Sequence, residues 1–246
     1  MPTRPIHTAR LVRSVVLSER AKCKHLEFET VDLASFDFTA GQFVSMLARR
    51  EGKLMTRAYS LASAAKGANR FDLCLNRVES GFFSNYLCDL KEGDTTEFHG
   101  PHGHFILRDP LRDCLFVATG TGIAPMRGFV ESLFGETPRH QDRQIYLVYG
   151  TRHESEIYYR DYLESVARQY PNFHYVITLS RGAEDWQGAR GYVQDHIHEI
   201  IDTRPENGKN DFDAYICGLN AMVSSVRQLL TEAGWDKKQI IFERYD

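Results

Sequence analysis

The sequence predicts two structural units in series, an antiparallel β-barrel followed by a doubly wound α/β unit built on a five-stranded parallel sheet. The first hundred residues contain short segments of alternating apolar and polar residues separated by glycines, which is typical of an antiparallel barrel. From Asp113 onward, apolar runs alternate with amphipathic helical stretches, which is typical of a parallel sheet covered on both faces. We place the boundary so that residues 1–108 form the barrel and 109–246 the α/β unit, because Asp109-Pro110 interrupts local structure.

Six short segments predict the strands of the barrel. In the clearest of them Phe71, Leu73 and Leu75 fall on one face, as expected of a strand with one side in a core. The predicted strands cover residues 11–17, 26–30, 43–47, 59–61, 71–78 and 95–99. Residues 84–90 are predicted to form a short helix that caps the barrel, because their apolar side chains have helical spacing.

Five apolar runs predict the strands of the parallel sheet, and four amphipathic stretches predict its helices. The strands are expected at 114–118, 145–149, 175–179, 214–217 and 240–242. The helices are expected at 125–134, 158–169, 192–201 and 220–233. Because runs that are apolar on both faces need cover on both sides, we expect helices on both faces of the sheet.

Charge and cysteine usage exclude several classes of protein. The formal net charge is −3 with both signs scattered, so the clustered positive charge that nucleic-acid binding requires is missing. No run of about 18 apolar residues could span a bilayer, and we expect no membrane partner. The five cysteines lie far apart and form no Cys-x-x-Cys pair for zinc or an iron–sulfur cluster. Reduced thiols in a cytoplasmic protein are therefore expected, and the histidines at 99, 102 and 104 are too poor in further ligands to predict a metal site.

A glycine-rich turn follows the first strand of the predicted parallel sheet. The segment Thr119-Gly120-Thr121-Gly122 leads directly into a helix, with Pro125 in its first turn, where a missing N–H is tolerated. Glycines let the backbone approach a diphosphate at a helix N-terminus, so the segment is predicted to bind phosphate. Pro125 stands where the common dinucleotide fingerprint has its third glycine, which disfavours an ordinary Rossmann dehydrogenase. A glycine turn that serves only packing remains the alternative.

Two motifs in the barrel supply complementary chemistry. Arg57-Ala58-Tyr59-Ser60 offers a guanidinium for phosphate oxygens, a phenol ring for a flat heterocycle and a hydroxyl for a ring nitrogen. Gly81-Phe82-Phe83-Ser84 opens the short helix, where free N–H groups and the Ser84 hydroxyl could receive a pyrophosphate. Each motif is weak alone, and a simple capped helix is the alternative for the second.

The order of these motifs resembles the ferredoxin-NADP reductase family. The matching segments are 57–60, 81–84, 100–105, 120–125, 149–152 and 215–219, in the family's order over nearly the whole chain. The resemblance implies an FAD-binding antiparallel barrel followed by an NADP-binding parallel sheet. It also implies that nicotinamide and flavin meet in the cleft between them.

The resemblance assigns roles to individual residues. Arg57 and Ser84 would bind the FAD pyrophosphate, Tyr59 would lie against the isoalloxazine, and Ser60 would face the flavin N5 region. Backbone from Cys74 to Arg77 would run along the flavin and ribityl chain. The full set expected at the cofactors is Arg57, Ala58, Tyr59, Ser60, Cys74, Leu75, Asn76, Arg77, Gly81, Phe82, Phe83, Ser84, Thr119, Gly120, Thr121, Gly122, Pro125, Gly150, Thr151, Arg152, Ser180, Arg181, Arg190, Tyr192, Gln194, Cys217, Gly218, Leu219 and Tyr245.

The end of the chain is similar to the Glu-x-Tyr ending of plant-type members. Glu243-Arg244-Tyr245 matches it, with one further residue, Asp246. The resemblance implies that Tyr245 covers one flavin face, with a surface tyrosine as the alternative. Our hypothesis for catalysis is that Ser60, Cys217 and Glu243 border the contact between nicotinamide C4 and flavin N5. Tyr245 would then move aside to admit the nicotinamide.

The nicotinamide nucleotide is predicted from the residues that could meet a 2'-phosphate. Ser180-Arg181 and then Arg190, Tyr192 and Gln194 are similar to the Ser-Arg and Lys-x-Tyr-x-Gln pattern of the NADP-binding members. Arginine and hydroxyl groups suit a dianionic phosphate, whereas a ribose diol favours a carboxylate. NADPH is therefore favoured. NADH stays open, because the Trp-x-Gly at residues 186–188 also occurs in NADH-using oxygenase reductases of the same superfamily.

The predicted function is that of an FAD-dependent oxidoreductase which transfers electrons between NADP(H) and a one-electron carrier such as ferredoxin or flavodoxin. A flavin can accept a hydride and release electrons singly, which suits this position. The alternative is the NADH-dependent reductase component of an oxygenase system. A non-enzymatic electron-transfer subunit is disfavoured, since those subunits carry a cysteine cluster near the C-terminus. We expect a monomer that forms transient complexes with its carrier.

Overall fold

A computed structural model describes residues 5–65, 67–202 and 212–245. It contains two six-stranded sheets, the first antiparallel and the second parallel, so the predicted fold class is confirmed. Asp246, whose position after Tyr245 we noted, lies outside the described residues. No helix in the described ranges is long and apolar enough to cross a membrane.

The first sheet has the strand order β4-β3-β6-β1-β2-β5. Its strands are β1 His7–Ser18, β2 Cys23–Thr30, β3 Phe43–Arg50, β4 Lys53–Ser60, β5 Arg70–Asn76 and β6 Thr95–His102. A bridge between Leu61 and Leu73 joins the end of β4 to β5, so the two edge strands meet and the sheet curls into a barrel. Inside it, Phe28, Phe71 and Phe98 are fully buried in one hydrophobic cluster.

All six barrel strands were predicted, but β4 is longer than expected. Residues 53–58 are exposed along its whole length, so no alternation of apolar and polar residues marked them. The helix α1 spans Phe82–Asp89 and packs Phe83 and Leu87 into the barrel core, which agrees with the predicted cap.

The second sheet has the strand order β10-β9-β8-β7-β11-β12, with every pair parallel. Its strands are β7 Asp113–Thr119, β8 Ile145–Thr151, β9 Phe173–Leu179, β10 Ala189–Arg190, β11 Phe212–Leu219 and β12 Ile240–Tyr245. The five predicted strands are present. The sixth, β10, contains only two residues, which is too short to leave a hydropathy pattern.

Helices cover both faces of the parallel sheet, as a doubly wound fold requires. They are α2 Ile123–Phe134, α3 Arg160–Gln169, α4 Val193–Asp202 and α5 Asn220–Glu232. One hydrophobic cluster joins α2 and α3 to one face of the sheet, and a second joins α4 and α5 to the other.

The two sheets are held together by α2 and the start of α3. Arg127 on α2 donates to a carboxylate oxygen of Asp72 on β5 at 3.1 Å and to the carbonyl of Ala62. Nδ1 of His25 on β2 lies 2.9 Å from the hydroxyl of Tyr159. These contacts bring β4 up to the carboxyl end of the parallel sheet.

Candidate active site between β4 and the parallel sheet

The end of β4 touches the end of β12 at the carboxyl edge of the parallel sheet. Ser60 Oγ donates to Glu243 Oε2 at 2.9 Å. Cys217 on β11 pairs in register with Glu243, and two positions later Leu219 pairs with Tyr245. Ser60, Cys217, Glu243 and Tyr245 therefore meet in one place, as the sequence interpretation required of them.

Burial controls the charge of these groups. Desolvation raises the pKa of Glu243, although the hydrogen bond from Ser60 lowers it in part. Burial also raises the pKa of the Cys217 thiol well above its usual value, and the neighbouring Glu243 charge raises it further. A thiol held neutral in this way is a poor nucleophile.

Tyr245 lies in the same cluster. Burial raises the pKa of its phenol well above the usual value, with Cys217 and Glu243 adding to the effect, and its hydroxyl interacts with Ser60 and Cys217. The aromatic ring at the end of β12 thus occupies the space beside the Ser60–Glu243 hydrogen bond. A ligand that needs this space must displace the ring.

The two glycines after β7, Gly120 and Gly122, lie in different environments. Gly120 has φ +53°, and no other atom lies within 4 Å of the position a Cβ would take, so open space adjoins it. A Cβ on Gly122 would lie 2.2 Å from the carbonyl oxygen of Cys217, so Gly122 is needed for packing against β11. The packing alternative therefore explains Gly122, and the phosphate-binding role of Gly120 stays a prediction.

The residues around the turn suit an anionic ligand. The Thr119 hydroxyl oxygen is buried and has no hydrogen-bond partner in the described part of the chain. Pro125 lies in the first turn of α2, and Thr121 is partly buried beside it. An orphaned hydroxyl next to an open glycine is a fit for a nucleotide phosphate.

On β4, Arg57 and Ala58 are exposed and Tyr59 is partly buried against the barrel core. Burial raises the pKa of Tyr59 to about 12, so the phenol stays neutral. An edge strand whose residues 53–58 are all exposed is a surface able to receive a flat ligand such as a flavin.

The Ser84 hydroxyl does not point to an open ligand site. Ser84 is buried, its oxygen accepts from the Val78 N–H at 3.0 Å, and it donates to the Gly81 carbonyl at 3.2 Å. The hydroxyl proton is therefore used within the turn, and the predicted contact of Ser84 with a pyrophosphate would require this bond to break. The backbone N–H groups of Phe82 and Phe83, in the first turn of α1, have no intrahelical acceptor.

The segment 74–77 is anchored by its side chains, which leaves its backbone as the part that could follow a ligand. Cys74 and Leu75 are buried, and Cys74 Sγ lies 3.8 Å from Cys23 Sγ. Asn76 donates to the hydroxyl of Tyr158 at 3.3 Å. Arg77 binds Asn85 and Asp89 on α1.

The predicted nucleotide-binding residues gather at the ends of β8 and β9. The N–H of Ser180 donates to the carbonyl of Thr151 at 3.0 Å, and that of Arg181 to the carbonyl of Arg152 at 2.9 Å. Ser180, Arg181 and Arg152 are exposed. Tyr192 is 64% exposed, which leaves four polar side chains open to solvent along this edge.

Four further predicted residues frame this edge. Gly150 is buried and a Cβ there would lie 2.7 Å from Val193, so it is a packing glycine. Gln194 is partly buried in the first turn of α4. Gly218 packs against Thr119, whereas Leu219 is 61% exposed at the end of β11.

Arg190 has a different environment from the one expected. Its guanidinium donates to the carbonyls of Gly182, Ala183, Glu184 and Trp186. The sequence interpretation made it a ligand of the 2'-phosphate, but here its two terminal nitrogens are engaged by main-chain oxygens. The role at the 2'-phosphate stays a prediction, and main-chain acceptors of this kind leave no trace in the sequence.

Sequence reasoning missed Arg127, which links the two sheets at this site. The guanidinium also lies over the rings of Tyr159 and Tyr162, at 5.1 and 5.6 Å. An arginine inside the otherwise apolar stretch at residues 123–130 was the available signal. Among the described residues no group of three or more histidine, cysteine or acidic side chains could hold a metal ion. Two of the clustered histidines contact each other, with His99 Nδ1 2.7 Å from His102 Nε2.

Comparison with known proteins agrees with this arrangement. Residues 8–106 match the oxidoreductase FAD-binding domain and 116–228 the oxidoreductase NAD-binding domain. Ferredoxin--NADP reductase B from Sorangium cellulosum (strain So ce56) is 43% identical over 97% of this chain and 97% of its own length. The reductase component of phenol 2-monooxygenase from Pseudomonas sp. (strain CF600) is 31% identical over 98% of this chain and 66% of its own length.

Solved structures share the fold. A ferredoxin NADP+ reductase from Neisseria gonorrhoeae with bound FAD and NADP has a TM-score of 0.81 at 20% identity, over 97% of this chain and 98% of that one. A ferredoxin-NADP+ reductase from Plasmodium falciparum with 2'P-AMP has a TM-score of 0.79 at 24% identity, over 97% and 95% of the two chains. The family resemblance of the motifs is confirmed, and the chain is an oxidoreductase that belongs to the ferredoxin-NADP reductase family.

Proposed function

We propose that this protein transfers electrons between NADPH and a one-electron carrier, ferredoxin or flavodoxin, through bound FAD. The observation that carries the proposal is the hydrogen bond of 2.9 Å from Ser60 to Glu243, which joins the barrel to the parallel sheet where the family's two cofactors meet. The relative that is 43% identical over nearly its whole length is named a ferredoxin--NADP reductase, which supports the choice of partner.

FAD would be held by the exposed face of β4 and the start of α1. Arg57 is exposed on this face and would bind the pyrophosphate, and Tyr59 presents a neutral ring for the isoalloxazine. The backbone N–H groups of Phe82 and Phe83 would replace the Ser84 hydroxyl as the helix contribution to pyrophosphate binding. When bound, FAD supplies the ability to accept a hydride and to return electrons one at a time.

The chain's own residues would orient the reactants and handle a proton. Ser60 donates a hydrogen bond to Glu243, and the raised pKa of Glu243 makes this carboxyl able to hold a proton nearer to neutral pH. Cys217 and Tyr245 would exclude water from the same space. We propose that Tyr245 swings out when the nicotinamide enters.

NADPH is proposed over NADH because of the side chains open at the ends of β8 and β9. Arg152, Ser180, Arg181 and Tyr192 are exposed there and could surround a 2'-phosphate. Main-chain hydrogen bonds from Ser180 and Arg181 to Thr151 and Arg152 hold the ends of β8 and β9 side by side. Thr119 and Gly120 would take the diphosphate.

The NADH-dependent reductase component of an oxygenase system remains the second candidate. It is supported by the 31% identity to the phenol 2-monooxygenase reductase component. The Trp-x-Gly segment at residues 186–188 also supports it, and the indole of Trp186 there donates to the carbonyl of Ala189 at 2.9 Å. A preference for NADH in steady-state kinetics would favour this candidate.

Purified protein can decide between the two. It should carry flavin absorbance, and anaerobic NADPH should bleach that absorbance with a kcat/KM at least about tenfold above that for NADH. A [2Fe–2S] ferredoxin, a [4Fe–4S] ferredoxin and a flavodoxin would be offered in turn, with cytochrome c reporting electron delivery. Protein without flavin, or a flavin reduced by neither nucleotide, would refute the proposal.

The proposal includes three further expectations, on the boundary between the units, the location and the oligomeric state. The boundary between the cofactor-binding units is proposed at residues 108 and 109, between β6 and β7. A cytoplasmic location is supported by five cysteines that are all buried and unpaired by disulfides, which suits a reducing compartment. A monomer that forms transient complexes is proposed, and sedimentation of the holoenzyme would test it.

A further inference from the structure

We propose that Glu131 and Gly128 on α2 are positioning residues, which hold the segment 61–64 against the helix and so keep Ser60 in place for hydride transfer. This inference rests on the proposed reduction of FAD by a nicotinamide nucleotide. The segment follows Ser60 directly at the end of β4. Neither of the two α2 residues lies in a motif that the sequence interpretation assigned to a cofactor.

The helix binds the main chain of this segment. Oε2 of Glu131 accepts a hydrogen bond of 2.8 Å from the N–H of Ala64. One helical turn earlier, Arg127 donates to the carbonyl of Ala62. Because the Glu131 side chain is only 13% exposed, water competes little for its bond to Ala64. The bond therefore restrains the chain four residues after Ser60.

Gly128 lets the helix approach the same segment closely. A Cβ at this position would lie 2.9 Å from the carbonyl oxygen of Ser63, which is closer than van der Waals contact allows. Any larger residue would therefore push the helix and the segment apart. The close approach and the two hydrogen bonds together tie residues 62–64 to consecutive turns of α2.

The same helix also contacts the other side of the site. At its start, Gly122 packs against the carbonyl of Cys217, which pairs in register with Glu243. Pairing of β4 with β3 fixes Ser60 within the barrel, but only contacts between the two units fix it relative to Glu243. A misplacement of about 1 Å can cost about a hundredfold in rate. A looser contact at Glu131 should therefore slow the reaction although this side chain touches neither reactant.

The test compares E131A with E131Q in the FAD-loaded protein, in single turnovers at saturating nucleotide. Glutamine keeps an oxygen that can accept from the Ala64 N–H, whereas alanine has none. We expect E131A to reduce its flavin more slowly by about tenfold or more, and E131Q to recover most of the rate. The dissociation constant for NADP+ should stay nearly unchanged in both. E136A, at an exposed position beyond the end of α2, is the control.

Three further measurements separate positioning from a purely structural role. With a nucleotide deuterated at the transferred hydrogen of C4, the primary isotope effect in E131A should be at least as large as in the unaltered protein, which places the loss in the transfer step. Amide hydrogen exchange over residues 62–65, measured without nucleotide, should be faster in E131A than in E131Q. G128A keeps every donor and acceptor and should also slow flavin reduction, so it decides the proposal if E131A does not retain FAD.

Three results would overturn the proposal. Equal slowing in E131A and E131Q would show that the charge matters and the bond to Ala64 does not. An unaltered saturating rate in E131A or G128A would leave these contacts with a role in stability alone. A loss confined to NADP+ affinity would place Glu131 in nucleotide binding. If the flavin of the unaltered protein is reduced by neither nucleotide, the proposed function fails, and amide exchange still decides whether Glu131 holds the segment.

Discussion

Ser60 on β4 donates a hydrogen bond of 2.9 Å to Glu243 on β12, although the two residues are 183 positions apart. The contact joins the barrel to the last strand of the parallel sheet, beside Cys217 and Tyr245. Both groups are partly or fully removed from water, so the hydrogen bond between them replaces one that each would otherwise make to water. Ser60 and Glu243 should therefore behave as one functional unit.

A double-mutant cycle tests this unit. S60A and E243Q should each slow reduction of the bound flavin by NADPH by about a hundredfold, since each removes part of a positioned proton-handling pair. The double variant should be little slower than either single one, because the first substitution already breaks the interaction. Anaerobic stopped-flow absorbance measures the rates. E199Q, at an exposed position on α4, is the matched control, and independent losses that multiply in the double variant would contradict a shared role.

Replacing Tyr245 tests whether its ring competes with the nicotinamide. In Y245S the space beside Ser60 and Cys217 is vacant, so NADP+ should bind about tenfold more tightly, because no ring has to be displaced. Release of product should slow correspondingly and lower kcat. Y245F keeps the ring and should bind NADP+ much as the unaltered protein does. The flavin difference spectrum gives the affinities, and identical NADP+ binding and flavin reduction in Y245S would remove Tyr245 from the site.

The sequence predicts those parts of the fold whose burial leaves a pattern of apolar side chains. Alternating or continuous apolar runs predicted eleven strands, because burial selects side chains directly. The two-residue β10 was missed, since two residues carry no period. The exposed part of β4 was missed because its surface faces no core.

In the candidate site, too, some residues were predictable from the sequence and others were not. Ser60, Cys217 and Glu243 were expected to come together because their motifs resemble those of the family, and the structure places Ser60 and Cys217 each beside Glu243. The environments of Ser84 and Arg190 were not predictable, because their partners are main-chain carbonyls and an N–H group whose positions depend on the folded turn. Gly122 also needed the structure, since its close neighbour Cys217 is distant in the sequence.

Alanine at the two glycines after β7 should have different consequences. G122A puts a Cβ 2.2 Å from the Cys217 carbonyl oxygen, and because backbone cannot move aside easily, we expect a loss of about 3 kcal/mol in the free energy of unfolding. G120A meets no atom within 4 Å, so the cost is only that of a left-handed backbone, about 1 kcal/mol. Urea denaturation measures both values.

Nucleotide binding separates the two effects further. The Cβ of G120A would enter the open space proposed for the diphosphate, so NADP+ affinity should fall although the fold is nearly as stable. G52A is the matched control, because Gly52 also has a positive φ and open surroundings but lies in the β3–β4 turn. Equal NADP+ affinity in G120A and G52A would remove Gly120 from the nucleotide site.

The stability of the protein should depend on pH through His25. Burial, and then the positive charge of Arg127, lower the pKa of His25 to about 4 from an ordinary value of 6.5. Between these values the unfolded chain binds a proton that the folded protein does not, so the free energy of unfolding should fall as the pH is lowered from 6.5 to 4. The full loss for one such group is about 3 kcal/mol. H25N can keep a hydrogen bond to the Tyr159 hydroxyl but cannot titrate, so its unfolding free energy should change less over this interval. H198N, on the exposed face of α4, should keep the slope of the unaltered protein, and a slope in H25N as steep as that of H198N would show that another group is responsible.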